Sequence, residues 1–356
     1  SFMKAIILCA GLGTRLYPLT LSMSKHLIPL ANKPILFYSL EMMRDAGIKE
    51  VGLIIGEKNN DIKDAVSDGS QWGLKVTYIL QQNPKGLAHA VKVAQKFVGK
   101  DSFVMYLGDN LLKEGLTGFV NSFNQSKPNA LILLYHVDNP SQFGIAELNE
   151  ERIARVMEKP ENPPTDLAIV GAYLFDKNIF TAIDNIKPSK RNELEITDAI
   201  QYLIEKDYVV QPHIVKEWWK DTGRPEEILE ANRFMLDNIE SGIKGTVDES
   251  SKITGNVLIG EGTEIINSDI CGPTAIGKNC KIVDSFIGYY TSIGNNSLIE
   301  NSKVQQSVVM ENGTMLHLRD QISDSLFGRN VTLKSFQGKS AESCFVLADH
   351  SFVKIS

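Results

Sequence analysis

Cysteine is scarce in this chain of 356 residues: only Cys9, Cys271, Cys280 and Cys344 occur, and none forms a CxxC pair. That usage excludes a disulfide scaffold and a cysteine-built zinc site. No apolar run approaches the 18 or so residues that span a bilayer, and no secretory leader is recognisable. The expectation is a cytoplasmic protein with no membrane partner. Ser1 and Phe2, ahead of Met3, read as an expression remnant. Blocks of like charge are missing too. The 37 basic and 43 acidic residues give a net charge of −6, with no basic surface to attract nucleic acid. An apolar share of 43% with 22% charged residues excludes intrinsic disorder. The length is that of two or three domains.

What is present falls into two halves with different patterning. Up to about residue 240, short apolar runs alternate with amphipathic ones. Strands are expected over 4–9, 51–55, 76–80, 103–107 and 130–135, and helices over 35–46, 62–66 and 87–97. Such alternation predicts an α/β domain with a Rossmann-like, mostly parallel sheet. Ligands of such sheets bind beyond the carboxyl ends of the strands.

After about residue 245 a 17-residue period takes over. Residues 260–263, 277–280, 294–297, 311–314 and 328–331 align. The third position of each block is Gly or Asn (Gly262, Asn279, Asn296, Gly313, Asn330), the types that best tolerate a left-handed backbone. An apolar residue precedes each block (Ile259, Ile276, Ile293, Met310, Phe327). Another follows at a fixed distance (Ile265, Ile282, Ile299, Leu316, Leu333). Steps of five and six residues predict a hexapeptide-repeat, left-handed parallel β-helix, each coil made of three short strands. The division expected is 3–240 for the α/β domain and 241–356 for the β-helix.

The strongest chemical motif follows the first strand: Leu8-Cys9-Ala10-Gly11-Leu12-Gly13-Thr14-Arg15-Leu16. Glycines there let backbone N–H groups approach a phosphate, and Arg15 can neutralise its charge. Lys25 follows in Ser24-Lys25-His26-Leu27-Ile28-Pro29. Neither a GxGxxG dinucleotide fingerprint nor a Walker A loop is present.

The stretch 10–34 resembles the signature of the sugar-phosphate nucleotidyltransferases. Ser24–Pro29 and Asn32-Lys33-Pro34 look most like glucose-1-phosphate thymidylyltransferases. The likeness continues through Gly69–Leu74, Leu107-Gly108-Asp109-Asn110, Phe143-Gly144, Glu158-Lys159-Pro160, Glu193–Asp198 and Trp219-Lys220-Asp221-Thr222-Gly223. With its β-helical tail, the chain is similar to the long form of these enzymes.

The resemblance implies a role for each matched position. Ala10, Gly11, Gly13, Thr14, Gln81, Gly86 and Asn110 would bind the nucleotide. Gln81 would read the pyrimidine edge, where an amide pairs with one N–H and one carbonyl. Asp109 and Asp221 would hold Mg²⁺, a hard cation that takes carboxylates together with phosphate oxygens and water. Gly144, Glu158, Lys159 and Ile169 would bind the sugar phosphate. Phe143 stands where the family often has Tyr, and it offers no hydroxyl. Apart from the resemblance, a single Asp after a strand serves equally as a turn residue, and a Glu-Lys pair as a solvated surface pair.

The implied reaction joins a nucleoside triphosphate to a sugar-1-phosphate, and pyrophosphate leaves. Arg15, Lys25, Asp109 and Asp221 would carry the catalysis by placing charge rather than by a covalent intermediate. The pyrimidine edge is shared by thymine and uracil, and Ala10 also occurs at this place in uridylyltransferases. dTTP is the expected nucleotide and UTP the alternative. β-Helices of this type also form acetyltransferases that use a histidine, which directs attention to His317. The β-helix itself reads as an assembly module and predicts a homo-oligomer.

Overall fold

The computed structural model describes residues 3–335 and 349–354. Cys344, Ser1 and Phe2 lie outside the described residues. By contact, the chain forms two compact units: the opening strand to Leu12 with Ile35–Asp221, and Gly13–Pro34 with the residues from Thr222 onward.

The first unit is built on a nine-stranded mixed sheet. Its strands are β1 (Lys4–Leu8), β2 (Glu50–Ile55), β3 (Lys75–Leu80), β4 (Phe103–Leu107), β6 (Ala130–His136), β7 (Gly144–Asn149), β8 (Arg152–Glu158), β9 (Leu167–Phe175) and β10 (Val210–Ile214). A separate ribbon pairs β5 (Asn110–Leu112) with β11 (Trp219–Asp221). The expected Rossmann-like parallel core is the run β3-β2-β1-β4. β1, β2 and β4 are almost wholly buried, as parallel strands covered on both faces are, while the edge strand β3 leaves Lys75, Thr77 and Leu80 exposed. Antiparallel β9 extends that core and carries β6 and β7 beside it. All nine residues of β9 are buried and only one is polar. The helix expected over 35–46 is α1 (Ile35–Asp45), with Ile35, Leu36, Leu40 and Met43 inward. The helix expected over 87–97 is α2 (Leu87–Val93), followed by a separate turn at Gln95–Val98. Helix α3 (Ile196–Glu205) packs its buried face on β8.

In the second unit the chain coils through three sheets of short parallel strands, two six-stranded and one five-stranded. This is the stacked architecture of a left-handed β-helix. Ile259, Ile276 and Ile293 line one inner face, Ile265, Ile282 and Ile299 the second, and Ile270, Ile287 and Val304 the third; all are buried. Two of the three corners turn through left-handed residues in successive coils: Gly262, Asn279 and Asn296 at one, Asn267, Asp284 and Asn301 at the other.

The fourth copy departs from the strict period. Asn312, not Gly313, takes the left-handed turn, and Ile299 pairs with Met315 rather than Leu316. Val309, not Met310, continues the column from Ile293 to Phe327. This coil is one residue short and the next one residue longer. A corner that loses a residue keeps its sheet register by moving the left-handed slot back one place.

Helix α4 (Pro225–Leu236) belongs to this unit. Pro225 opens it where no N–H is required, and Glu226 and Glu227 sit favourably in its first turn.

Candidate active site

Asp109 leaves the carboxyl end of β4, where the Gly108 N–H donates to the Leu8 carbonyl (3.1 Å). The chain turns at once into β5, whose Asn110 lies opposite Asp221 in the antiparallel ribbon. Two acids 112 positions apart in sequence thus become near neighbours. Asn110, buried, fastens the corner. Its Oδ1 accepts from the Trp219 indole N–H (2.6 Å), its Nδ2 donates to Asp109 Oδ1 (3.0 Å), and its carbonyl accepts from the Tyr106 hydroxyl (2.7 Å). Burial, with the Asp109 charge adding to it, pushes the Tyr106 phenol far above its usual range, so it stays a neutral donor. Gly171 makes room for the indole–amide bond. Its φ is +44°, and a Cβ there would fall 2.7 Å from Asn110 Oδ1 and 3.2 Å from Trp219 Nε1. Glycine takes that left-handed backbone without strain, and only glycine leaves that space.

Among the described residues, no group of three or more His, Cys, Asp or Glu gathers as a metal cage. Two carboxylates fit a hard divalent cation whose remaining ligands are substrate oxygens and water.

A second cluster lies toward the β8 edge of the sheet. Gly144 pairs with Glu158 across β7 and β8. A Cβ on Gly144 would lie 2.8 Å from Thr197 Cγ2, 3.3 Å from Glu158 Oε2 and 3.7 Å from Ile169 Cδ1. Three of the four expected sugar-pocket residues therefore converge, and Thr197 joins them. The Thr197 hydroxyl donates to Glu158 Oε2 (3.0 Å). Burial raises the Glu158 pKa, while Thr197 and the nearby cations pull it back. The fourth residue, Lys159, has a left-handed backbone (φ +42°), and its N–H donates to the Phe143 carbonyl (3.0 Å). Phe143 packs its ring edge-on to Trp219, centroids 5.8 Å apart, so the family's missing hydroxyl is replaced by an apolar contact. Buried Glu195 holds Arg191 with both carboxylate oxygens at 2.9 Å.

The loop after β3 forms a third group. Gln81 is buried, and its side-chain Nε2 lies 2.9 Å from His89 Nδ1 on α2. Gly86 (φ +102°) runs against the chain at Leu194, where a Cβ would sit 2.5 Å from the carbonyl oxygen. Leu194 donates to the Lys85 carbonyl and accepts from the Ala88 N–H. The loop is thereby clamped to the Glu193–Asp198 motif. Thr197 and His89 escaped the sequence reading. Thr197 lay within a quoted motif, and His89 stood eight residues beyond Gln81 with nothing to connect the two.

Ala10 is buried beyond β1, and Gly11 is exposed. In the second unit, Gly13 lies against the aliphatic stem of Lys25, and its carbonyl accepts from the Thr20 hydroxyl (2.7 Å). The turn Thr14–Leu16, with Arg15, is thus tied to the turn Lys25–Leu27. Arg15 acts on Glu227 of α4: burial raises the Glu227 pKa, and Arg15 is the largest influence lowering it. The segment is anchored further along. Asn232 Oδ1, on α4, accepts from the Ala31 N–H and from the Ser292 hydroxyl, both at 2.8 Å. Asn32 Nδ2 donates to the carbonyls of Ala275 (3.3 Å) and Ile293 (2.8 Å) on successive coils. His317 occupies a left-handed corner in register with Asn301 and lies 3.6 Å from Glu300. It stands where the three preceding coils place Asn267, Asp284 and Asn301. Cys9, Cys271 and Cys280 are thiols; Cys9 and Cys280 are buried in separate cores.

Residues 4–238 match the nucleotidyl transferase family. The chain belongs to that family. A glucose-1-phosphate thymidylyltransferase of Streptomyces antibioticus is 46% identical over 99% of this chain and 99% of its own. A second, of Streptomyces griseus, is 43% identical over 99% of this chain and 100% of its own. The likeness to both therefore runs through the β-helix. Among solved structures, a Bacillus anthracis protein described as a glucose-1-phosphate thymidylyltransferase superposes with a TM-score of 0.63 at 34% identity. That match covers 67% of this chain and 97% of the other. In a nucleotidyl transferase, acids at strand ends and cations on a glycine loop are the groups needed to handle phosphates.

Proposed function

We propose that the chain is a glucose-1-phosphate thymidylyltransferase, joining dTTP and glucose-1-phosphate to give dTDP-glucose and pyrophosphate. The observation that carries the reading is the ribbon that sets Asp221 opposite Asn110, next to Asp109. Full-length likeness to two enzymes of that name supports the choice of nucleotide and sugar. Mg²⁺ held by Asp109 and Asp221 would neutralise charge on the triphosphate.

A phosphate oxygen of the sugar-1-phosphate attacks the α-phosphorus in line. The new P–O bond forms as the bond to pyrophosphate breaks. A phosphate monoester is already a competent nucleophile, so no general base is required. Arg15 and Lys25 stabilise the α-phosphate and the departing pyrophosphate. Lys159 orients the sugar phosphate, and Glu158 accepts from sugar hydroxyls, with Gly144 and Ile169 shaping the pocket. Ala10, Gly11, Gly13, Thr14 and Asn110 cradle the nucleotide, while Gln81 and Gly86 read its base. We assign catalysis to 3–240 and assembly to 241–356, in a homo-oligomer of the cytoplasm.

The test measures pyrophosphate release from dTTP and UTP against glucose-, galactose- and N-acetylglucosamine-1-phosphate. The pair dTTP and glucose-1-phosphate should give the highest kcat/KM. Asp109→Asn or Lys25→Ala should each lower turnover by about 100-fold or more, as removal of a charge-stabilising group does. Wild-type-like turnover in either variant overturns the assignment of roles, and preference for UTP overturns the nucleotide.

A further inference from the structure

The amide of Gln81 is chemically two-faced. Its carbonyl end accepts hydrogen bonds, its NH₂ end donates them, and a half-turn about the last side-chain bond exchanges the two. A base reader with that freedom would accept uracil-type and cytosine-type edges alike. A pyrimidine-dione offers an N3–H donor beside a carbonyl acceptor. Cytosine offers an N3 acceptor beside an amine donor, the reverse pattern. Discrimination therefore needs something to hold the amide one way round.

Among the described residues, the Gln81 side chain hydrogen-bonds to His89, Nε2 to Nδ1 at 2.9 Å. An imidazole with one proton donates from one ring nitrogen and accepts at the other. With its proton on Nε2, His89 presents a lone pair at Nδ1, which takes one hydrogen of the Gln81 amide. The other amide hydrogen and the carbonyl oxygen are left for the base. Burial, helped by the neighbouring Lys85 charge, keeps the His89 pKa below its ordinary value and so favours a neutral ring, the state in which Nδ1 can accept. The two residues are rigidly carried. Gln81 continues β3, its N–H bonded to the Ile55 carbonyl, and His89 sits in the first turns of α2. The clamp of Gly86 and Ala88 on Leu194 sets the start of that helix.

We infer that His89 is a positioning residue that locks the Gln81 amide, carbonyl toward N3, so that the site takes a pyrimidine-dione and rejects cytosine. This rests on the reading of Gln81 as the base-contacting group. His89 touches no substrate atom and acts only through Gln81. A flipped amide would set its carbonyl oxygen against the Nδ1 lone pair, acceptor against acceptor, and it loses that hydrogen bond as long as the ring proton stays on Nε2. Cytosine in the locked site meets donor with donor and acceptor with acceptor.

The test uses the full chain and three variants, with dTTP as substrate and dCTP as a competitive inhibitor. His89→Ala frees the amide; Ala suits a helix, so the fold should persist. His89→Asp puts an acceptor without a donor close to where Nδ1 stood. Gln81→Leu removes the reader. In His89→Ala, KM for dTTP should rise while kcat and KM for the sugar phosphate stay within about twofold. The ratio of dCTP Ki to dTTP KM should fall about tenfold, the worth of one oriented hydrogen bond. His89→Asp should restore most of that ratio, which a merely structural role for His89 would not do. A His89→Ala ratio within twofold of wild type, with Gln81→Leu losing discrimination, overturns the inference and leaves the base reading intact. Gln81→Leu with unchanged discrimination overturns the base reading itself, and the inference with it.

Discussion

Gly171 is the residue on which the corner of the two acids turns. It sits in β9 at a break in the pairing with β6, with its backbone in the left-handed region. Gly171→Ala perturbs two things together. Holding alanine at that φ costs about 1–2 kcal/mol. Its methyl would also lie 2.7 Å from Asn110 Oδ1, well inside contact distance, on the acceptor of the Trp219 indole bond. Driving the indole and amide apart leaves two buried polar groups without partners, at about 1–3 kcal/mol. The sum is about 2–5 kcal/mol of stability. Part of it falls on catalysis, because Asn110 also holds Asp109. Guanidinium denaturation followed by circular dichroism reads the first effect, with a signal that does not depend on Trp219 and so serves every variant. Pyrophosphate release reads the second, and kcat should fall about tenfold or more, the equivalent of a 1.4 kcal/mol loss at the transition state. Trp219→Phe approaches the same bond from the other side: it removes the N–H and adds no methyl, and it loses the hydrogen-bond share plus the packing of the larger ring on Tyr135 and Phe143. A Gly171→Ala protein with wild-type midpoint and turnover would refute the reasoning.

Asn232→Leu should lower stability by about 1–3 kcal/mol, because the Ala31 N–H and the buried Ser292 hydroxyl lose their acceptor. Adding Ser292→Ala should return part of that loss, and strict additivity in the double-mutant cycle would argue against the shared bond. Ile299→Ala, at a fully buried β-helix position, should cost about 2–5 kcal/mol by calorimetry, whereas Lys303→Ala on the exposed face should cost little. Burial raises the Glu158 pKa, so the native state holds that proton more tightly than the unfolded chain. Its contribution to stability is full below the ordinary glutamate pKa and is lost as pH rises through the raised native value. Midpoints measured against pH should therefore fall more steeply in wild type than in Glu158→Gln across that interval; parallel curves would contradict the assignment.

Much of this was legible in the linear chain. The helical spacing over 35–46 and the apolar run of β1 marked their elements because one-dimensional periodicity records which face meets the core. The 17-residue period was visible because each coil repeats one environment, so Ile259, Ile276 and Ile293 recur. The fourth coil misled by one residue, since Met315 and Leu316 are both apolar and composition alone does not choose between them. Only the pairing of Ile299 with Met315 settled the register.

Sequence alone determined the local alphabet: a glycine loop with Arg15 and Lys25, single acids at Asp109 and Asp221, and the solenoid turns. Those features are local, written in residue type and short spacing, and a family likeness could attach to them directly. Tertiary structure decided which distant residues meet. It set Asp221 opposite Asn110, gave Gly171 the task of clearing the Trp219–Asn110 bond, brought Thr197 to Glu158, and laid His89 against Gln81. It also hung Asn32 from two successive coils through Ala275 and Ile293, more than 240 residues away. Contacts of that range leave no periodic trace in the chain, because a hydrogen bond constrains only its two ends and nothing in the sequence between them.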